Sequence, residues 1–205
     1  MEGDRDGRGS LGRAVREPRA VVQREAEPGA RGRGRGLAPG QALDVGCGEG
    51  ADAVWLAERG WRVTAIDLSR VALERAAAAG AHVADRIAWS RGDLAATPPP
   101  RASFDLVTAQ YFPILRSSGP AAVTGLLDAV APGGTLLVVG HARPAPGRGP
   151  EGFDFDDYVH PADIARRLGE GWRIEADETR PRATPPPEGA HHTHDTVLRA
   201  RREPA

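Results

Sequence analysis

Lysine is missing from this 205-residue chain; all 27 basic residues are arginine. That excludes a Schiff-base enzyme, which needs a lysine amine, and a P-loop, which needs a lysine for its phosphates. Cysteine occurs once, at Cys47, so neither an intramolecular disulfide framework nor a multi-cysteine zinc site is available. No apolar run approaches the roughly 20 residues of a membrane span. The N-terminus has no apolar stretch of the signal-peptide kind. Net charge is scarce too, at −1, which gives no global electrostatic case for nucleic acid. These absences predict a soluble, cytoplasmic protein, by default a monomer. The bias to Arg, Ala, Gly and Pro looks like a GC-rich bacterial genome.

The 26 glycines and 18 prolines are too many to be spread evenly through helices and strands. Residues 1–36 hold nine Arg, six Asp or Glu, eight Gly and no aromatic residue, and end in Arg31-Gly32-Arg33-Gly34-Arg35-Gly36. Such a segment cannot bury enough apolar surface to offset its ordering entropy, so it is expected to be a disordered tail. An Arg-Gly run can serve an RNA-binding segment. Here it is short and without stacking rings, and low-complexity sequence is the simpler reading.

From Leu37 short aliphatic runs alternate with helical stretches. Strands are expected at Ala42–Gly46, Arg62–Asp67, Ile87–Ser90, Phe104–Ala109 and Thr135–Val139. Helices are expected at Ala51–Arg59, from a Ser69 cap to Ala79, and at Pro120–Val130. Pro132-Gly133-Gly134 reads as a turn. A helix near Pro161–Leu168 and strands near Trp172–Glu178 and Thr193–Ala200 complete a domain spanning 37–202. Alternation of this kind predicts an α/β doubly wound, mostly parallel sheet.

The informative constellation is Asp44-Val45-Gly46-Cys47-Gly48-Glu49-Gly50, between the first strand and its helix. Glycines there permit a tight turn and close approach of a ligand to amide donors at a helix N-terminus. The second strand ends in Asp67, which can accept hydrogen bonds from both ribose hydroxyls. The pair points to an adenosine-containing ligand. Gly46-x-Gly48-x-x-Ala51 also fits a dinucleotide fingerprint, so an NAD(P)-binding oxidoreductase is the alternative. Asp44 argues against that alternative, because a carboxylate sits badly against a pyrophosphate but well against an ammonium. Gly92-Asp93-Leu94 argues against it as well, since a carboxylate there can take an adenine amino group.

On these residues the chain resembles the class I S-adenosylmethionine-dependent methyltransferases. Asp44–Gly50 is similar to their first motif, Asp67 to their ribose acid, Gly92-Asp93 to their adenine-side motif. Phe104-Asp105-Leu106-Val107 is similar to their fourth strand, and Ala131-Pro132-Gly133-Gly134 to the turn before the fifth. Gln110-Tyr111 and Thr193-His194-Asp195 resemble small bacterial enzymes of the tellurite-resistance and thiopurine-methyltransferase type. The resemblance implies a Rossmann-like seven-stranded sheet in order 3-2-1-4-5-7-6, strand 7 antiparallel, and S-adenosyl-L-methionine as cofactor. It implies cofactor contacts at Asp44, Gly46, Cys47, Gly48, Gly50, Asp67, Leu68, Gly92, Asp93, Leu94 and Gln110. A cofactor-binding protein without activity is a further alternative, because residues 1–36 lack the aromatic cap of the family.

Tyr111, with Phe112, is expected to wall the acceptor site, and His141 to deprotonate an acceptor or shape the pocket; these two are the catalytic candidates. Cys47 reads as a packing residue. His191-His192-x-His194-Asp195 suggests a metal, but no second shell or ligands from other elements accompany it, so no metal is expected. His194 is expected near His141. The absence of a large insertion favours a small-molecule acceptor over protein or nucleic acid.

Overall fold

The structure, a computed structural model, describes residues 37–143, 154–182 and 193–204. The expected tail, the Pro185–Pro187 linker, His191 and His192 lie outside the described residues.

The chain runs β1 (Gln41–Val45), α1 (Ala51–Glu58), β2 (Arg62–Asp67), α2 (Arg70–Ala79), β3 (Ile87–Arg91), β4 (Phe104–Gln110), β5 (Ile114–Leu115), α3 (Ala121–Ala129), β6 (Val130–His141), β7 (Tyr158–Val159), α4 (Pro161–Ala165), β8 (Trp172–Pro181) and β9 (His194–Arg202). Seven strands form one sheet in the order β3-β2-β1-β4-β6-β9-β8. Leaving aside the two-residue strands β5 and β7, which pair with each other, this is the expected 3-2-1-4-5-7-6 order. β1 to β4 and β6 are parallel, and β9 is antiparallel to both of its neighbours.

Alternation along β1 explains the layers. Leu43 and Val45 face a core shared with Val107 of β4, Leu126 of α3 and Ile164 of α4. Ala42 faces the opposite core, with Trp55 and Leu56 of α1 and Trp61. A strand covered on both faces can afford no polar position except one with a task, and Asp44 is the exception in β1.

Local signals fix the boundaries. The Ser69 side chain accepts the Ala72 N–H and starts α2, as expected of an N-cap. The Pro132-Gly133-Gly134 turn is not a separate element. It is absorbed into β6 as a bulge: pairing steps from Phe104↔Val130 to Leu106↔Thr135, five residues against two. Gly133 sits at φ +76° there, and a Cβ on Gly134 would lie 2.8 Å from the Ala131 carbonyl oxygen. The helix expected to reach Leu168 ends at Ala165. The β5–β7 pair was not expected, because two-residue strands carry no periodicity.

The carboxyl ends of β1, β2, β4 and β6 bring the glycine loop, Asp67, Gln110-Tyr111 and His141 to one edge of the sheet, where ligands bind in open α/β folds.

Candidate active site

Gly46, Gly48 and Gly50 adopt φ of +67°, +53° and +80°, a region that favours glycine. Their surroundings separate their tasks. A Cβ on Gly50 would meet Trp89 at 2.5 Å and Ala76 at 2.8 Å, so Gly50 lets α1 approach its neighbours. A Cβ on Gly46 would strike the Phe112 ring at 2.4 Å. A Cβ on Gly48 would meet nothing within 4 Å; this is the glycine that faces open space.

Four of the loop's amides are engaged inside the protein, which limits what the loop can present to a ligand. The Gly46 and Cys47 N–H groups donate to the Ile66 carbonyl, and Gly50 donates to the Cys47 carbonyl. Gly48 N–H donates to Asp67 Oδ2 at 2.8 Å, and Ser69 N–H to Asp67 Oδ1 at 2.8 Å. Each carboxylate oxygen keeps a second lone pair for a hydroxyl.

What the loop offers is negative charge. Asp44 is buried, and its Oδ2 has no hydrogen-bond partner. Burial, then the charges of Asp52 and Asp67, hold its carboxyl well above the usual carboxylate range. Gln110 is buried beside it at the end of β4 and donates from Nε2 to Asp52 Oδ2 at 2.7 Å. Asp52 was not singled out in the sequence; its place in the first turn of α1 after the glycines was the available signal. Burial, then the charges of Asp44 and Asp67, push the Cys47 thiol far up, so it stays protonated and packs rather than attacks.

The remaining cofactor candidates divide. Leu68 is an exposed apolar side chain beside Asp67, and Gly92 is tied to Asp67 by its N–H. Asp93 caps its own turn, with Oδ1 accepting the Ala95 N–H at 2.8 Å. Leu94 turns into the core, so its side chain does not reach this edge.

Next to the loop lies a cavity of about 350 Å³, walled by Tyr111, Phe112, Ile114, His141, Tyr158 and Ile164 among others. Phe112 belongs both to this wall and to the surface of Gly46. Tyr111 sits at φ +53°, held by its N–H on the Val139 carbonyl at 2.7 Å and its hydroxyl on Asp195 Oδ2 at 2.9 Å. Its ring lies 4.5 Å from that of His141, and the Arg182 guanidinium stands 5.4 Å from its centre. His194, expected near His141, does lie beside that strand end, its carbonyl accepting the Ala142 N–H at 3.0 Å. The register pairs His141 itself with Asp195, whose carboxylate is 3.8 Å from Nδ1. Neighbours along a strand point to opposite faces, so His194 is exposed and outside the cavity wall. Among the described residues no group of three or more His, Cys, Asp or Glu is placed to hold a metal. No helix of the described residues is long and apolar enough to cross a membrane.

Residues 42–134 match the methyltransferase-domain family. An uncharacterized methyltransferase of Mycobacterium tuberculosis is 32% identical over 155 residues, which cover 76% of this chain and 74% of the relative. A protein solved in work on the conversion of a disulfide into a thioacetal during echinomycin biosynthesis superposes with a TM-score of 0.67 at 23% identity, covering 86% of this chain and 82% of that one. The N-methyltransferase NodS of Bradyrhizobium japonicum, in complex with S-adenosyl-L-homocysteine, superposes with a TM-score of 0.60 at 22% identity over 80% of this chain and 79% of that one.

Proposed function

The chain belongs to the class I S-adenosylmethionine-dependent methyltransferases, and on that premise we propose that it methylates a small molecule held in the cavity beside the glycine loop. The observation that carries the donor side is Asp44, a buried carboxylate with an unpartnered oxygen, beside a loop with four of its amides already engaged. Such a site suits a cation and hydroxyls. It does not suit the pyrophosphate of a dinucleotide, which wants free amides and would face Asp44, Asp52 and Asp67. The oxidoreductase reading is therefore not favoured.

The residues fit the cofactor. Asp44 Oδ2 would take the ammonium of the methionine part, Asp67 the ribose hydroxyls, and the open side of Gly48 would let the ligand approach the backbone. Leu68 would cover the adenine, whose amino group would reach Asp93; Gly92 and Leu94 would contribute through their backbone, and Gln110 by fixing Asp52. When bound, the cofactor supplies a sulfonium methyl that is already electrophilic. The chain's task is then to orient the acceptor and exclude water, which can supply most of the acceleration. Phe112 and Tyr111 serve that task as apolar walls, and His141 as the polar group among them. A cavity of this size holds one compact ligand.

Calorimetry separates the readings. S-adenosyl-L-homocysteine should bind with about −6 to −8 kcal/mol, a low- to tens-of-micromolar affinity, and NAD should give no heat. Heat with NAD and none with millimolar S-adenosyl-L-homocysteine would overturn the assignment.

A further inference from the structure

Tyr111 of the cavity wall and two polar groups behind it come together from segments far apart in sequence. Tyr111 follows β4, Arg182 follows β8, and Asp195 lies in β9. Arg182 and Asp195 are both nearly inaccessible, with side chains 9% and 7% exposed, and neither lines the cavity. His141 does line it, and its ring meets all three: Tyr111 by ring contact, Asp195 at 3.8 Å, and Arg182 Nη1 at 3.4 Å from Nδ1.

An arginine can only donate. The ring nitrogen facing Nη1 must therefore carry a lone pair, and in a neutral imidazole the proton then sits on the other nitrogen. The Asp195 carboxylate is the competing partner, since it would draw a proton onto Nδ1. The oxygen that faces the ring, Oδ1, stands beyond hydrogen-bond length from Nδ1 at 3.8 Å and is ion-paired with Arg182 Nη1 at 3.9 Å, while Oδ2 accepts from the Tyr111 hydroxyl. We propose that Arg182 is a positioning residue that fixes His141 as the neutral tautomer protonated at Nε2, with Asp195 balancing the arginine's charge and anchoring Tyr111.

This deepens the proposed function and rests on it. A ring held this way gives a hydrogen bond to the acceptor and takes no proton from it. The acceptor in this cavity is then a molecule whose nucleophilic atom is unprotonated before it reacts. Its lone pair forms the bond to the methyl carbon while the carbon–sulfur pair returns to sulfur, and no proton has to be lodged on His141. Of the two roles expected of His141 from sequence, deprotonating the acceptor or shaping the pocket, this arrangement favours the second.

The test reads the ring itself and needs no acceptor. Two-bond proton–nitrogen correlation spectra of the full-length, nitrogen-15-labelled protein would be recorded, with His141 assigned by the resonance lost in His141→Gln. The expected wild-type ring has bare Nδ1 and protonated Nε2. Arg182→Lys and Asp195→Asn should keep that form, and Arg182→Met should lose it. A wild-type ring protonated at Nδ1, or at both nitrogens, would overturn the proposal. So would a spectrum unchanged in Arg182→Met. Should that variant not fold, a tautomer change in Asp195→Asn would assign control to the carboxylate and overturn the proposal, and an unchanged one would uphold it. None of these results bears on cofactor binding, which calorimetry tests separately.

Discussion

The three glycines of the first loop share a backbone region but not a task, so alanine at each should fail differently. Gly48→Ala should fold at a cost of about 1–2 kcal/mol for left-handed backbone, because its Cβ enters open space. It should bind S-adenosyl-L-homocysteine at least tenfold more weakly, because that space is the ligand's. Gly50→Ala should lose stability first, since its Cβ meets Trp89 and Ala76 inside the fold. Thermal melts beside titrations separate the two patterns, and equal binding by Gly48→Ala and wild type would contradict the account. Asp44 carries a cost in the folded state. Its carboxyl is held above its ordinary range chiefly by burial, so the folded state resists its ionisation. Stability from this group is complete below the unfolded value and falls as pH rises toward the folded one. Asp44→Asn should thus raise neutral-pH stability by about 1 kcal/mol, with the gain vanishing in acid. The same variant should weaken binding. In the wild type a cation at Asp44 favours the ionised form, so affinity should rise with pH through the range above ordinary carboxylates, by at most about tenfold per pH unit. Calorimetry in two buffers of different ionisation heat would count the proton released; affinity falling over that range would contradict the assignment.

At the scale of elements, sequence reading succeeded where a signal was local. Ser69 announced α2 as a cap, and Arg62–Asp67 matched β2 to the residue. It failed where pairing decided. Pro132-Gly133-Gly134 reads as a turn, yet β4 recruits the segment into a ladder and leaves it as a bulge. Gly134→Ala should test that geometry, because its Cβ would press on the Ala131 and Phe104 carbonyl oxygens at 2.8 and 2.9 Å. A loss of about 2–3 kcal/mol is expected in denaturant melts. An unaffected midpoint would mean that the bulge is soft. The candidate donor residues could be read together because Asp44 to Asp67 is one strand–helix–strand unit. Tyr111, Phe112 and His141 could be read from their places at strand ends, and the structure brings them to one cavity; Arg182 and the Tyr111–Asp195 hydrogen bond could not, because that bond spans 84 residues and no spacing rule joins Arg182 to His141. The engagement of the loop amides was not legible for a related reason: Ile66, which accepts two of them, comes from the neighbouring strand.

For the whole molecule, alternation of strands and helices anticipated a doubly wound, mostly parallel sheet, while its strand order was anticipated only through the resemblance to the methyltransferase family. Composition alone supports treating residues 1–36 as separable. A chain beginning at Leu37 should keep a cooperative melt with a midpoint within a few degrees of the full chain's. A non-cooperative melt would mean that the N-terminal residues belong to the fold. The account as a whole joins a carboxylate-lined donor loop to an apolar acceptor cavity across Phe112. The most direct test is a crystal structure of the full chain with S-adenosyl-L-methionine. The account predicts the ammonium within hydrogen-bond reach of Asp44 Oδ2, a ribose hydroxyl on Asp67, and the methyl facing the cavity of Tyr111, Phe112 and His141. A methyl directed away from that cavity, or a ligand bound without Asp44 and Asp67, would contradict it.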